Sequence, residues 1–175
     1  MTEETHNILH HWREAVPDDR MAHLIRDTER AFRRALQNRL AAHHVPFGHW
    51  SFLRILWATD GLTQKELSTR AGVMEPTTFA AIKAMESLGY VIRTQLPTNK
   101  KNVYVHLTAA GRALKKRLVP LAEETNQISV ALVDPIDLAT ARRVLLAMIE
   151  NLARDELAPT PATRHKAQIA GRRSK

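Results

Sequence analysis

Three groups of residues have the types and spacing to do chemistry. His6 and His10 lie four apart, which on a helix puts two imidazoles on one face, and His43, His44 and His49 form a second cluster. His49, Trp50, Arg54 and Trp57 combine aromatic walls with groups that can take a carboxylate. Thr77, Thr78 and Lys83, with Lys100 and Lys101 further on, are polar and cationic side chains of the kind that neutralise phosphate and reach base edges. Each group also has a plainer reading. The histidines lack a third and fourth ligand at fixed spacing, so no metal is expected. Trp50 and Trp57, seven apart, are equally placed to fill a core, with Arg54 a surface charge. The third group can equally sit on a module that binds protein. There is no glycine-rich phosphate loop, no nucleophile elbow and no pair of carboxylates in an apolar setting, so neither enzyme activity nor a cofactor is expected.

Composition narrows the choice. The chain has 175 residues, 44% of them hydrophobic, enough for one domain with a real core. Lys and Arg number 26 against 18 acids, a net charge of +8 that suggests a polyanionic partner, with nucleic acid the first candidate. The absence of cysteine removes disulfides, thiolate metal sites and thiol redox sensing. No apolar run approaches the ~20 residues of a membrane span, and the acidic start has no signal-peptide core, so a cytoplasmic protein is expected.

The elements that must position these residues centre on 62–108. Thr63-Gln64-Lys65-Glu66 reads as a capping box opening a short helix to about Arg70, and Ala71-Gly72 supplies a turn. Glu75-Pro76 opens a second helix that runs to Leu88. Tyr90–Thr94 and Asn102–Leu107 read as two strands around a polar, proline-broken QLPTNKK loop. That is a winged helix-turn-helix with a two-stranded wing. Its second helix is shaped for the major groove of double-stranded DNA and its wing for a neighbouring minor groove. Thr63 and Gln64, at the start of the first helix, complete the candidate DNA contacts.

Residues 1–19 read as a lead-in, and 20–157 as a single, mainly α domain. Within it, 20–43 and 109–157 form long amphipathic helices flanking the winged core. A helix is expected from about Arg20 to Ala42, and Trp50–Ala58 reads as a short buried one. Leu114, Leu118, Leu121, Thr125, Ile128 and Leu132 keep a four-three spacing, with a kink expected at Pro120; Leu138, Ala141, Leu145, Met148 and Leu152 repeat it. That is more apolar stripe than one winged helix can cover, so a homodimer through these arms is expected. Residues 158–175, with five Lys or Arg and no acid, read as a disordered basic tail.

The run LTQKELSTRAGV and the run KKNVYVHLTAAGRAL, in this order of elements, resemble the MarR family of bacterial transcriptional regulators over about residues 20–155. Leu107-Thr108-Ala109-Ala110-Gly111 matches the family's Leu-Thr-x-x-Gly. Its Asp-Arg-Arg at the wing falls on Asn99, Lys100 and Lys101, so the charge is kept without the planar fork or the bracing Asp. Pro76-Thr77 is kept on the second helix, where Phe79 and Ala80 replace a polar pair, and Phe79 is read as core in preference to a contact with thymine methyls. The resemblance implies a homodimer on a roughly palindromic operator, often released by a small phenolic or aromatic acid. It also implies a pocket between the DNA-binding lobe and the dimer helices, here lined by His49, Trp50, Arg54 and Trp57. The alternative is an architectural or ligand-independent DNA-binding protein of low sequence specificity.

Overall fold

The computed structural model describes residues 3–14, 21–96 and 99–157, apart from the side chains at 4, 96 and 99–101. The elements in order are α1 (Glu3–Glu14), α2 (Met21–Ala41), α3 (Phe47–Ala58), β1 (Leu62–Thr63), α4 (Gln64–Ala71), α5 (Glu75–Ser87), β2 (Val91–Leu96), β3 (Asn99–Leu107), α6 (Ala109–Ser129) and α7 (Pro135–Leu157). They divide into two compact units, Met1–Ser129 and Val130–Lys175. The expected basic tail at 158–175 lies outside the described residues. None of the described helices is long and apolar enough to cross a membrane.

The core forms around α3, which is apolar nearly all round and packs against α2, α4, α5, α6 and β3. Leu53 and Leu56 are buried there with Leu40, Leu67, Ile82, Met85, Val91, Val105 and Leu118. Helix ends are set by the chain itself. In α4 the Gly72 N–H bonds the Thr69 carbonyl and the Val73 N–H the Ser68 carbonyl, with Gly72 in the left-handed region at φ 64°. This paired closure satisfies otherwise orphaned carbonyls and suits a residue without Cβ. The same pair of bonds ends α2, where His44 takes the left-handed position at φ 56°.

The sheet differs from the expected two strands. Leu62 and Thr63 add a third, β1, and the order is β1-β3-β2, all antiparallel, with Leu62 opposite Val105 and Val91 opposite Leu107. The hairpin is also longer than its composition suggests. β2 continues to Leu96 and β3 begins at Asn99, with an irregularity between Gln95 and Leu96. Cross-strand pairing here outweighs weak strand propensity. The lead-in contains the helix α1, whose Trp12 Nε1 donates to Asp27 Oδ2 on α2 at 3.2 Å. α6 runs through Pro120 as one helix. Its stripe is buried at Leu114, Leu118 and Thr125 and open at Ile128, and on α7 no residue is buried.

One close approach fastens α6 to the winged core. A Cβ built on Gly111 would lie 2.1 Å from the Tyr90 carbonyl oxygen, so only glycine fits. Thr108 caps the helix by accepting from the Gly111 N–H at 3.0 Å, and its hydroxyl donates to the Gly89 carbonyl at 2.6 Å. Trp57 Nε1 donates to the Gly111 carbonyl at 2.9 Å. We expect Gly111→Ala to cost about 2–4 kcal/mol through backbone displacement in a packed core. Gly48→Ala, on α3 with nothing within 4 Å of the added Cβ, should be neutral or raise stability by up to about 1 kcal/mol. Thermal melts of the two variants against the parent check both signs.

Candidate nucleic-acid interface

The capping box forms as its spacing predicts. Glu66 N–H donates to Thr63 Oγ1 at 3.2 Å, and the Glu66 carboxylate accepts from the Thr63 N–H at 2.8 Å and from its hydroxyl at 2.7 Å. The hydrogen bonds from Thr63, side chain first and then backbone, hold the Glu66 carboxyl below its usual range. Thr63 is therefore committed to the cap. Gln64, the first residue of α4, is half-buried, and its Nε2 is buried with no hydrogen-bond partner.

Helix α5 buries Thr78, Ile82 and Met85, an i, i+4, i+7 stripe. Thr78 is fully buried and its hydroxyl faces its own helix, 3.4 Å from the Met74 carbonyl. This corrects the expectation of a Thr78 contact with DNA, because no groove can reach it. Thr77 and Lys83 are exposed. Phe79 is corrected the other way: it is 50% exposed and is no part of the core. The guanidinium of Arg93 on β2 lies 5.9 Å from its ring centroid. Arg93 also holds Glu86 of α5 with bonds of 2.8 Å from Nε and 2.6 Å from Nη2. The Arg93 hydrogen bond, and then its charge, keep the Glu86 carboxyl below the usual range.

A second carboxylate ties the other end of the wing. Asp60 Oδ1 accepts from the Leu107 N–H at 2.8 Å and the Gly61 N–H at 3.0 Å, while Oδ2 pairs with Arg112 at 2.9 Å. Lys100 and Lys101 lie on β3, but their side chains are outside the described residues. The cleft beside β3 is lined by Thr63, Lys65, Glu66, Thr69, Arg70, Asn102 and Tyr104.

The four expected pocket residues serve different ends. Trp50 is buried and meets Trp57 edge-on, ring centroids 5.7 Å apart. Trp57 is held by Gly111, and Arg54 is exposed. The tryptophans thus belong to the packing around α3, and the aromatic-wall reading gives way to the core one. His49 is half-buried, its Nδ1 lacks a partner, and burial pushes its pKa down. The rings of His6 and His10 are 6.5 Å apart, and no cluster of three or more possible ligands occurs among the described residues. The residues missed on sequence were Asp60, Glu86 and Arg93. Their partners come from other elements, so spacing carries no trace of them.

A model of the MarR family matches residues 48–103. The HTH-type transcriptional regulator TtmR of Methylorubrum extorquens is 30% identical over 142 residues, 80% of this chain and 68% of that protein. The homoprotocatechuate degradative operon repressor of Escherichia coli is 28% identical over 82 residues, 47% of this chain and 55% of its own length. Among solved structures, a MarR-family regulator from Listeria monocytogenes complexed with 26mer DNA superposes with a TM-score of 0.69 at 22% identity, covering 79% of this chain and 93% of that one.

The depressed Glu86 pKa has a definite sign. The pair with Arg93 contributes stability above the ordinary carboxylate range and loses it as pH falls through the lowered value. Arg93→Ala is expected to return Glu86 to the usual range and to remove that part of the acid dependence. An NMR titration of the glutamate side chains in both proteins reads it directly.

Proposed function

Since this chain belongs to the MarR family of transcriptional regulators, we propose that it is a homodimeric repressor that binds a roughly palindromic operator and leaves it when a small phenolic or aromatic acid binds. The observation that carries the DNA-binding part is α5. It is a 13-residue helix supported from below by Thr78, Ile82 and Met85, presenting Thr77 and Lys83 outward beside a β hairpin that carries Lys100 and Lys101. In this reading α5 enters the major groove, the wing follows the flanking minor groove, and the backbone cations set affinity.

Dimerisation is supported by the terminal helices. Leu24, Ile25, Phe32 and Ile128 on α2 and α6 are exposed, as are Leu138, Leu145, Ile149 and Leu152 on α7. A groove of about 620 Å³ between α1, α2 and α6 adds to this unpartnered apolar area. A second copy covering these stripes would hold two α5 helices at a fixed separation. Half-sites one helical turn apart require that separation. An effector that changes it would switch binding. The phenolic class, implied by the family resemblance, is supported by the relative whose name ties it to homoprotocatechuate degradation. His49, whose pKa burial pushes down and whose buried Nδ1 has no hydrogen-bond partner, is a candidate to hydrogen-bond such a ligand once the ring is exposed.

Replacing Lys100 and Lys101 together with alanine should weaken binding to all duplexes alike. It should also lower the slope of log Kd against log salt by about two to four per dimer. Thr77→Ala should change sequence preference with little change in slope. Fluorescence anisotropy across a salt series separates the two, and an unchanged slope in the lysine variant contradicts the wing assignment. Homoprotocatechuate added to the preformed complex should lower DNA affinity at least tenfold. A panel of phenolic and aromatic acids that leaves Kd unmoved removes the effector from the account.

A further inference from the structure

The outward face of α5 is notable for what it lacks. From Glu75 to Ser87 there is no Arg, Asn or Gln, the side chains that pair bidentately with guanine or adenine in the major groove, and Lys83 is its one cation. What the helix and its entry expose is apolar. Met74 at the N-cap is 76% exposed, Pro76 is exposed, and Phe79 leaves half its surface in water.

The Phe79 ring is also held in place. The Arg93 guanidinium beside it is a cation–π partner, and the two bonds to Glu86 fix that guanidinium. The ring thus faces one cation, supplied by β2 and oriented by Glu86 of the ring's own helix, and that contact lowers the entropy it would lose on binding. Phe79 shares a cleft with Gln64, Glu75 and Pro76, and the buried Gln64 Nε2 there has no hydrogen-bond partner. The major groove offers one apolar feature to such a surface, the 5-methyl group of thymine.

We propose that Phe79 reads sequence by packing its braced ring on the 5-methyl of one thymine in each operator half-site. Arg93 and Glu86 act as positioning residues that touch no base. The proposal rests on the DNA-binding reading above and adds to it which base is read and by what force.

The test starts from in vitro selection of a binding sequence out of random duplexes, using the full-length protein. Each thymine of a half-site is then replaced by deoxyuridine, which removes only the methyl group. One thymine per half-site should stand out. Its replacement weakens binding about fourfold, and replacement in both half-sites about fifteenfold, as expected for one buried methyl group per site. Phe79→Ala should bind the thymine and uracil duplexes equally, whereas Phe79→Leu should keep part of the discrimination. A half-exposed side chain can be truncated without loss of the fold, and thermal melting confirms that both variants are folded. Retention of the thymine-over-uracil ratio by Phe79→Ala overturns the proposal, as does a wild-type protein indifferent to every methyl. A selection that enriches no sequence overturns the operator-binding reading and this proposal with it, leaving DNA binding through charge alone. An enriched sequence without methyl dependence overturns this proposal alone.

Discussion

The first turn of the long helix α6 can lie against the winged core only because residue 111 has no side chain. Its backbone lies against the Tyr90 carbonyl so closely that a Cβ would overlap it. Around that contact, Thr108 caps α6, donates its hydroxyl to the Gly89 carbonyl just past α5, and donates its own N–H to the Tyr90 carbonyl at 3.1 Å. Trp57 closes the joint from α3. Four elements meet at one point through bonds that backbone groups must make somewhere. The Leu-Thr-x-x-Gly motif is thus a mechanical joint: Leu107 fills the core, Thr108 caps and Gly111 admits the approach. A helix that leaves Ile128 exposed farther along is rigidly coupled to the winged core.

Carboxylates do the second level of fastening. Asp60 ties the turn before β1 to the end of β3 and to Arg112, Glu66 closes the cap of α4, and Glu86 holds Arg93. Glu124 similarly meets Arg39 across α6 and α2. These pairs are partly exposed, and each alone contributes modestly to stability. Their larger effect is on geometry. They fix the orientation of α4, α5 and the hairpin relative to one another, the quantity that a duplex with fixed groove spacing tests. The acids spent in this way leave the excess positive charge to act on a polyanion.

Most of the architecture was legible because local rules agree with the tertiary answer. The Thr63–Glu66 box, the Gly72 turn and the Glu75-Pro76 start are encoded within four residues each and form as read. What failed was non-local or too short to carry a period. β1 is two residues long and exists only through its pairing with β3. Arg93, seven residues from Glu86 and on a different element, gives no signal in the sequence. The exchange between Thr78 and Phe79 is instructive because a signal was present. Counting back four and seven from the apolar Ile82 and Met85 lands on Thr78, which places a threonine in the core and turns the phenylalanine outward. Residue type suggested the opposite, and helical phase decided it. The same phase argument, with Ile8 and Trp12 four apart, marks α1 as a helix where composition suggested only a lead-in.

The central claim is that this winged fold reads sequence, as opposed to coating duplex through charge alone. The most direct measurement is the affinity of the full-length protein for its selected operator against a random duplex of equal length, at one physiological salt concentration. The account predicts a preference of at least about a thousandfold, the lower end for specific regulators. Equal affinities, with the same salt slope for both duplexes, would contradict it and leave an electrostatic DNA-binding protein of low specificity.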